Sequence, residues 1–155
     1  INFVFTGHKK NNFDYLNRKT KEFNLESQIS YFEYVKDEDI KILYKNCKGL
    51  VYPSLIGYAC LPLYEAFYFE KPVFYTKDLL DLSLKNFVNE IDITNPSTLV
   101  DEINNFKNNN GKINEKIKDA KKFFLENLSD EKIKSQYINF FKNIKDLKKI
   151  HVGFQ

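Results

Sequence analysis

The stretch from Tyr52 to Phe74, "YPSLIGYACLPLYEAFYFEKPVF", decides how the chain is read. It opens on the end of an apolar run, "GLVYPS", stopped by Pro53, and closes on a second run, "PVFY". Between them "LPLYEAFYF" reads as a helix, because Pro62 suits a first helical turn, where its missing N–H would have no partner anyway. In the core of the segment, "SLIGYACLPLYEA", stands one carboxylate, Glu65, three residues after that proline. A buried unpaired carboxylate is costly, so such a group normally has a partner or a job. A surface or salt-bridged helix residue is the plainer reading of Glu65.

Strand, helix and strand in this order make a βαβ unit, in which parallel strands need a helical crossover. The pattern extends toward the N-terminus. "INFVF" is a strand ending at Thr6-Gly7, Asp14 to Phe23 is a polar helix with Tyr15 and Phe23 as inward anchors, and "QISYFEYV" is the next strand. "DEDIKILYKNC" then places Ile40, Leu43, Tyr44 and Cys47 at helical spacing, with acids in its first turn where the helix dipole favours them. An open parallel sheet with helices on both faces follows.

Beyond Thr76 the only further strand signal is a short one at "EIDI". Asn95-Pro96 reads as a cap and first helical position, opening a helix to about Phe106. "NNNG", from Asn108 to Gly111, is a break. Two amphipathic helices finish the chain: one aligns Ile113, Ile117, Ala120 and Phe124, the other Ile133, Tyr137, Phe140, Phe141, Ile144 and Leu147, with Ser129, Asp130 and Glu131 at its start. The expected organisation is a sheet core over residues 1–111, terminal helices over 112–150 packing on the same domain, and a loose tail over 151–155.

Composition agrees with one globular domain. The 155 residues are 43% hydrophobic and 16% aromatic, the aromatics being Tyr and Phe with no Trp, and that is enough to bury a core. The start on "INFVFTG" without a Met suggests a piece of a longer protein. No apolar run is long enough to cross a bilayer and no signal pattern opens the chain, so a cytoplasmic location is expected. Cys47 and Cys60 lack metal-ligand spacing and read as reduced, half-buried residues; His8 and His151 belong to no metal motif. The net charge of +3 is concentrated in the tail. Lys112 to Lys149 holds eleven lysines against six acids, a balance of +5 that leaves about −2 elsewhere. Nucleic acid is not the expected partner, since the lysines alternate with acids and no recognition module is present.

In open α/β sheets, ligands bind outside the carboxyl ends of the strands. Three loops leave such ends: Gly7-His8-Lys9-Lys10, Tyr34-Val35-Lys36, and Ser54 to Leu61. They are expected to open on one side. A helix starting at Cys60 or Leu61 aims free N–H groups at the third loop, which is an anion site suited to phosphate. Helical side chains lean toward the N-terminus, so Glu65 reaches back to the same mouth. It is a good acceptor for a pair of sugar hydroxyls, and a nucleotide would satisfy both features. Lys9 and Lys10 read as a solvated loop when taken alone, and Cys60 as a structural residue with no base beside it.

The same residues carry a resemblance. "VYPSLIGYACLPLYEAFYFEKPVFY" is similar to the hallmark segment of GT-B glycosyltransferases of family four, the glycosyl transferases group one. That pattern is P-S, a short loop, L-P-x-x-E-A, then a G/K-x-P-V strand, matched here by Pro53, Ser54, Leu61, Pro62, Glu65, Ala66, Pro72 and Val73. "FVFTG", "ISYFEYVKDEDIKILYKNCKGLVYPS" and "LSDEKIKSQYINFF" resemble further family segments in order, the last being a terminal helix that returns toward the other domain. The resemblance implies a Rossmann-like sheet, the carboxyl-terminal half of a GT-B fold, that binds a nucleotide diphosphate sugar without a metal or other cofactor.

Carried over by position, Glu65 would hold the ribose, amides around Cys60 and Leu61 the diphosphate, and Tyr34 and Val35 would lie against the base. Gly7 would let its loop approach the phosphates, with Lys9 or Lys10 adding charge. Two departures stand out. Gly57 replaces the first Glu of the family's E-x7-E pattern, and Tyr58, Ala59 and Cys60 replace its usual loop. A basic pair, the catalytic groups and the acceptor domain are expected upstream of Ile1, so this chain alone is expected not to catalyse transfer. The implied enzyme is a retaining hexosyltransferase acting on a glycan or lipid-linked acceptor in surface polysaccharide assembly. The alternatives are a GT-B nucleotide-sugar epimerase and a degenerate domain serving as an interaction module. The basic tail adds a further option, peripheral contact with the inner face of an anionic membrane, although a solvated helix face explains it more simply.

Overall fold

The computed structural model of the chain describes residues 1–10, 12–55, 61–77, 83–108 and 110–152. They form two compact units, Ile1–Asn46 and Cys47–Gln155. In the first, strand β1 (Phe3–Thr6) is followed by helix α1 (Phe13–Glu22), strand β2 (Ile29–Phe32) and helix α2 (Asp37–Asn46). β1 and β2 pair in parallel, Phe3 opposite Ile29 and Thr6 opposite Phe32, with α1 as the crossover. β2 is shorter than its sequence run suggests, so Glu33, Tyr34 and Val35 lie beyond its end.

The inward face of α1 is Phe13, Leu16 and Thr20, at helical spacing, and this corrects the expected anchors. Tyr15 and Phe23 are instead 55% and 60% exposed. They serve cations: Arg18 lies 5.5 Å from the Tyr15 ring centre and Lys19 5.4 Å from that of Phe23. α1 ends in a Schellman motif. Leu25 N–H reaches Thr20 C=O at 2.9 Å and Asn24 N–H reaches Lys21 C=O at 3.1 Å, with Asn24 left-handed at φ +53°. α2 follows the sequence reading, with Asp37, Glu38 and Asp39 in its first turn and Tyr44 buried.

The second unit holds strands β3 (Leu50–Tyr52), β4 (Val73–Thr76) and β5 (Asn89–Ile91), all parallel, in the order β3-β4-β5. Helix α3 (Leu61–Tyr68) crosses from β3 to β4, and helices α4 (Ser97–Asn108), α5 (Asn110–Leu128) and α6 (Asp130–Val152) follow β5. Every residue of the central strand β4 is buried, as a parallel strand covered on both faces requires. On one face Phe74 packs against Phe106 of α4, ring centres 6.3 Å apart. The core also takes Leu63, Ala66 and Phe67 from α3 and Ile113 and Ala120 from α5. Phe67 meets Phe87 at 5.9 Å, and Phe87 meets Phe123 of α5 at 5.0 Å. A fully buried Phe such as Phe67 contributes on the order of 3 kcal/mol.

Polar ties hold α5 in place. Lys116 Nζ donates to the Val88 carbonyl at 3.0 Å and to Asn89 Oδ1 at 3.4 Å, while Asn89 Nδ2 donates to the Val73 carbonyl at 3.3 Å. Lys121 donates to the Tyr68 carbonyl at the end of α3, where a cation suits the helix dipole, and lies 4.1 Å from the Tyr68 ring centre. Gly49 is required by close approach: a Cβ there would stand 3.1 Å from Pro72 and 3.2 Å from the Phe74 ring.

The terminal helices divide. α5 packs on α3 through the face expected for it, with Ile113 and Ala120 buried and Ile117 and Phe124 half-buried. α6 departs from the expectation. Its face is exposed, Ile133 by 36%, Tyr137 by 62%, Phe140 by 58% and Phe141 by 59%, because α6 makes its main contact with α5, which it follows after Ser129 alone. Ile144 is half-buried; the side chain of Leu147 lies outside the described residues.

Candidate functional site

Parallel pairing brings the carboxyl ends of β3, β4 and β5 to one edge of their sheet. The loop from β3 leaves through Pro53, Ser54 and Leu55. Gly57, Tyr58, Ala59 and Cys60, expected to touch sugar or phosphate, lie outside the described residues. α3 begins at Leu61, 72% exposed, so the first-turn amides that no helix carbonyl can satisfy stand at this edge. The inward face of α3 is Leu63, Ala66 and Phe67, which turns Glu65 to the other side. Glu65 is exposed, in line with its plainer reading as a surface helix residue. It stands one turn inside the helix, on the side turned away from the core.

Two features of the same edge were not legible in the sequence. Thr76, the last residue of β4, is 4% exposed and its hydroxyl has no hydrogen-bond partner among the described residues. Beside it, Asp92 accepts from Lys77 Nζ at 2.6 Å, from Thr94 N–H at 2.9 Å and from Thr94 Oγ1 at 2.6 Å. The bond from Lys77, followed by those from Thr94, holds the Asp92 carboxyl well below the usual carboxylate range. Thr98 Oγ1 accepts from Asp92 N–H at 2.9 Å and donates to the Asn95 carbonyl at 2.8 Å, fastening the start of α4 to the end of β5. Asn95 itself accepts from Ser97 Oγ at 2.7 Å.

In the first unit the loops from β1 and β2 leave the same end of their sheet. Gly7 has φ +137°, a backbone conformation that favours glycine, and its N–H reaches the Phe32 carbonyl at 3.1 Å. The Tyr31 hydroxyl donates to the Gly7 carbonyl. Lys9 Nζ lies 5.2 Å from the Phe13 ring centre, 6.0 Å from that of Tyr31 and 4.0 Å from Glu33 Oε2. The Phe13 and Tyr31 rings are themselves 4.6 Å apart. His8 and Lys10 are exposed, Tyr34 is 74% exposed, and Val35 is half-buried.

Of the residues singled out in the sequence, the first unit groups Gly7 and Lys9 at one end of its sheet, with Tyr34 and Val35 in the neighbouring loop. The second unit places Leu61 and Glu65 on one turn of α3. Tyr31, Phe13 and Glu33 were missed; strand alternation places Tyr31 on a face but does not show its hydroxyl reaching back to Gly7. Among the described residues no three His, Cys, Asp or Glu side chains gather as a metal would need, and no helix is long and apolar enough to cross a membrane.

The family model described as "Glycosyl transferases group 1" matches residues 1–123, ending within α5 and leaving α6 outside. Among solved structures, a chain of the "Crystal structure of GtfA/B complex" is similar, with a TM-score of 0.73 at 14% identity. The match covers 94% of this chain and 30% of that one, so this chain spans less than a third of that length. No curated protein matches. The structural likeness shows the fold, an α/β arrangement of parallel strands and crossover helices like that of GT-B glycosyltransferases, and the sequence match over most of the length shows the family. The chain belongs to the glycosyl transferases group 1 family.

Proposed function

We propose that the chain is the donor-binding domain of a retaining hexosyltransferase, one that moves a sugar from a nucleotide diphosphate to a glycan or lipid-linked acceptor in surface polysaccharide assembly. One observation supports this reading most: α3 opens at the carboxyl edge of a parallel sheet and shows an exposed Glu65 one turn in, on the side away from its buried face. The first-turn amides receive the diphosphate and Glu65 accepts from the ribose hydroxyls. As the bond to the sugar breaks, negative charge grows on the departing diphosphate. Fixed N–H dipoles stabilise that charge without reorganising, so this domain contributes electrostatics and the base chemistry lies elsewhere in the enzyme. No metal is needed for this role.

In this reading α6 packs its exposed Tyr137, Phe140 and Phe141 face on the acceptor half of the enzyme. The test is product analysis. The intact enzyme is incubated with a panel of nucleotide diphosphate hexoses and a lipid-linked acceptor, and the anomeric configuration of the product is read by NMR. A glycosylated acceptor with the donor's configuration supports the proposal. An epimerised free sugar would favour an epimerase, and no turnover of any donor would favour an interaction module.

A further inference from the structure

The six lysines of α6 against its three acids give +3, as much as the net charge of the whole chain, so this one helix carries the imbalance. Its described lysines are sorted. Lys134, Lys142 and Lys145 fall at i, i+8 and i+11, with Ile138 at i+4, which lines the four along one side for roughly 16 Å. All four are exposed, Ile138 by 45%. The opposite flank begins with Lys132 and continues with the uncharged Gln136, Asn139 and Asn143, and the stripe of Ile133, Tyr137 and Phe140 runs between the two. On α5 the fold uses its lysines: Lys116 and Lys121 donate to the Val88 and Tyr68 carbonyls. Lys134, Lys142 and Lys145 make no ion pair or hydrogen bond among the described residues, and Asp130 and Glu131 stay in the first turn, where the helix dipole favours them.

We infer that the Lys134, Lys142 and Lys145 side of α6 docks the protein on an anionic lipid bilayer, with Ile138 and Phe141 at the headgroup boundary and the Tyr137 and Phe140 stripe left for protein. Charge complementarity carries the choice of partner. The potential of an anionic bilayer falls off within a Debye length, so cations gain from it only when one side of a helix presents them together. Lysine stems lie along an apolar boundary while their ammonium groups stay among phosphates, and Ile138 and Phe141, the latter 59% exposed, supply apolar contact beside them. A nucleic acid would take the charge but has no use for these two apolar side chains. The inference goes beyond donor binding and does not depend on it. It gives the enzyme and a lipid-linked acceptor one surface on which to meet.

The test is co-sedimentation of the full chain with vesicles of phosphatidylcholine alone or of an equal mixture with phosphatidylglycerol, at low and at high salt. Three variants are compared with wild type: Lys134→Gln/Lys142→Gln/Lys145→Gln on α6, Lys112→Gln/Lys118→Gln/Lys122→Gln on α5, and Phe140→Ser. All seven positions are exposed, and the two triple variants remove the same charge. Wild type is expected to sediment with the mixed vesicles at low salt, to be released by high salt and to ignore the neutral ones. The α6 triple variant is expected to weaken binding by roughly 30- to 150-fold, the worth of three lysines at such a surface. The α5 triple variant is expected to cost far less, and Phe140→Ser to leave binding nearly unchanged. Equal losses in the two triple variants would overturn the inference, because net charge and not one side of α6 would then be at work. A larger loss with Phe140→Ser than with the α6 triple variant, equal binding to both kinds of vesicle, or no binding to either would overturn it as well.

Discussion

Lys77 Nζ stands 2.6 Å from Asp92 Oδ2, joining the residue that follows β4 to the residue that follows β5. With Thr94 donating to the same carboxylate, the pair fixes the edge of the sheet where the loops of the candidate site begin. The Asp92 carboxyl is held below its ordinary value in the folded chain, first by Lys77 and then by Thr94. A depressed folded value means stability that is present above the unfolded value and lost as protons bind the folded carboxylate. This contribution is therefore complete above about pH 5 and declines as pH falls below about 4. Urea unfolding between pH 2 and pH 6 is expected to show a steeper acid loss for wild type than for Asp92→Asn. Parallel curves would show that the pair contributes nothing.

The end of α3 predicts a stabilising substitution. Glu70 sits at φ +54° in a Schellman motif, with Lys71 N–H on the Ala66 carbonyl at 2.9 Å and Glu70 N–H on the Phe67 carbonyl at 3.2 Å, and Pro72 follows. A left-handed conformation costs a side-chain-bearing residue about 1 kcal/mol that glycine avoids. The ion pair to Lys121, at 4.0 Å with Glu70 63% exposed, offsets little of it. Glu70→Gly is expected to stabilise the chain by roughly 0.5–1 kcal/mol in chemical denaturation. A loss of stability would mean that the Lys121 pair outweighs the backbone term.

The sequence made the alternation of elements legible because each helix and strand carried its own local signals: Pro53 and Pro62 around the loop, three acids opening α2, Asn108 to Gly111 between α4 and α5. α3 could be placed, and Glu65 with it, from Pro62 alone. Less legible was which face of a helix finds something to cover it, since that depends on elements far away in the chain. Tyr15 and Phe23 looked like anchors but are left exposed, and the stripe on α6 looked like a packing face but is exposed, with α5 as the main neighbour of α6. The Tyr31 hydroxyl on Gly7 and the Lys77–Asp92 bond join residues 24 and 15 positions apart, and no local pattern encodes such meetings.

The contrast between α3 and α6 is measurable. Phe67 is fully buried, whereas Phe140 and Phe141 are 58% and 59% exposed. Phe67→Ala is expected to cost about 3–5 kcal/mol of unfolding free energy. Phe140→Ser and Phe141→Ser are each expected to change it by less than about 0.5 kcal/mol in this chain. A cost above about 1.5 kcal/mol for either would mean that the α6 stripe is already covered in solution, and a concentration dependence of unfolding would identify a second copy as the cover.

Gly49 provides a check on the strand edge. With Pro72 and the Phe74 ring at 3.1–3.2 Å from a built Cβ, Gly49→Ala is expected to cost about 1–3 kcal/mol through displaced neighbours. A neutral result would show that Pro72 can give way without disturbing the Leu50 N–H to Pro72 carbonyl bond that starts the β3–β4 ladder.

The proposed function puts the ribose of a nucleotide on Glu65 and its phosphates at the start of α3. Its most direct test is calorimetric titration of the full chain and of Glu65→Ala with UDP, GDP, ADP and CMP at low salt, where phosphate contacts are least screened. One nucleotide is expected to bind, and Glu65→Ala is expected to weaken it by roughly 10- to 100-fold, the worth of hydrogen bonds to a charged group. Equal affinity in the two proteins, or no binding by either, would contradict it.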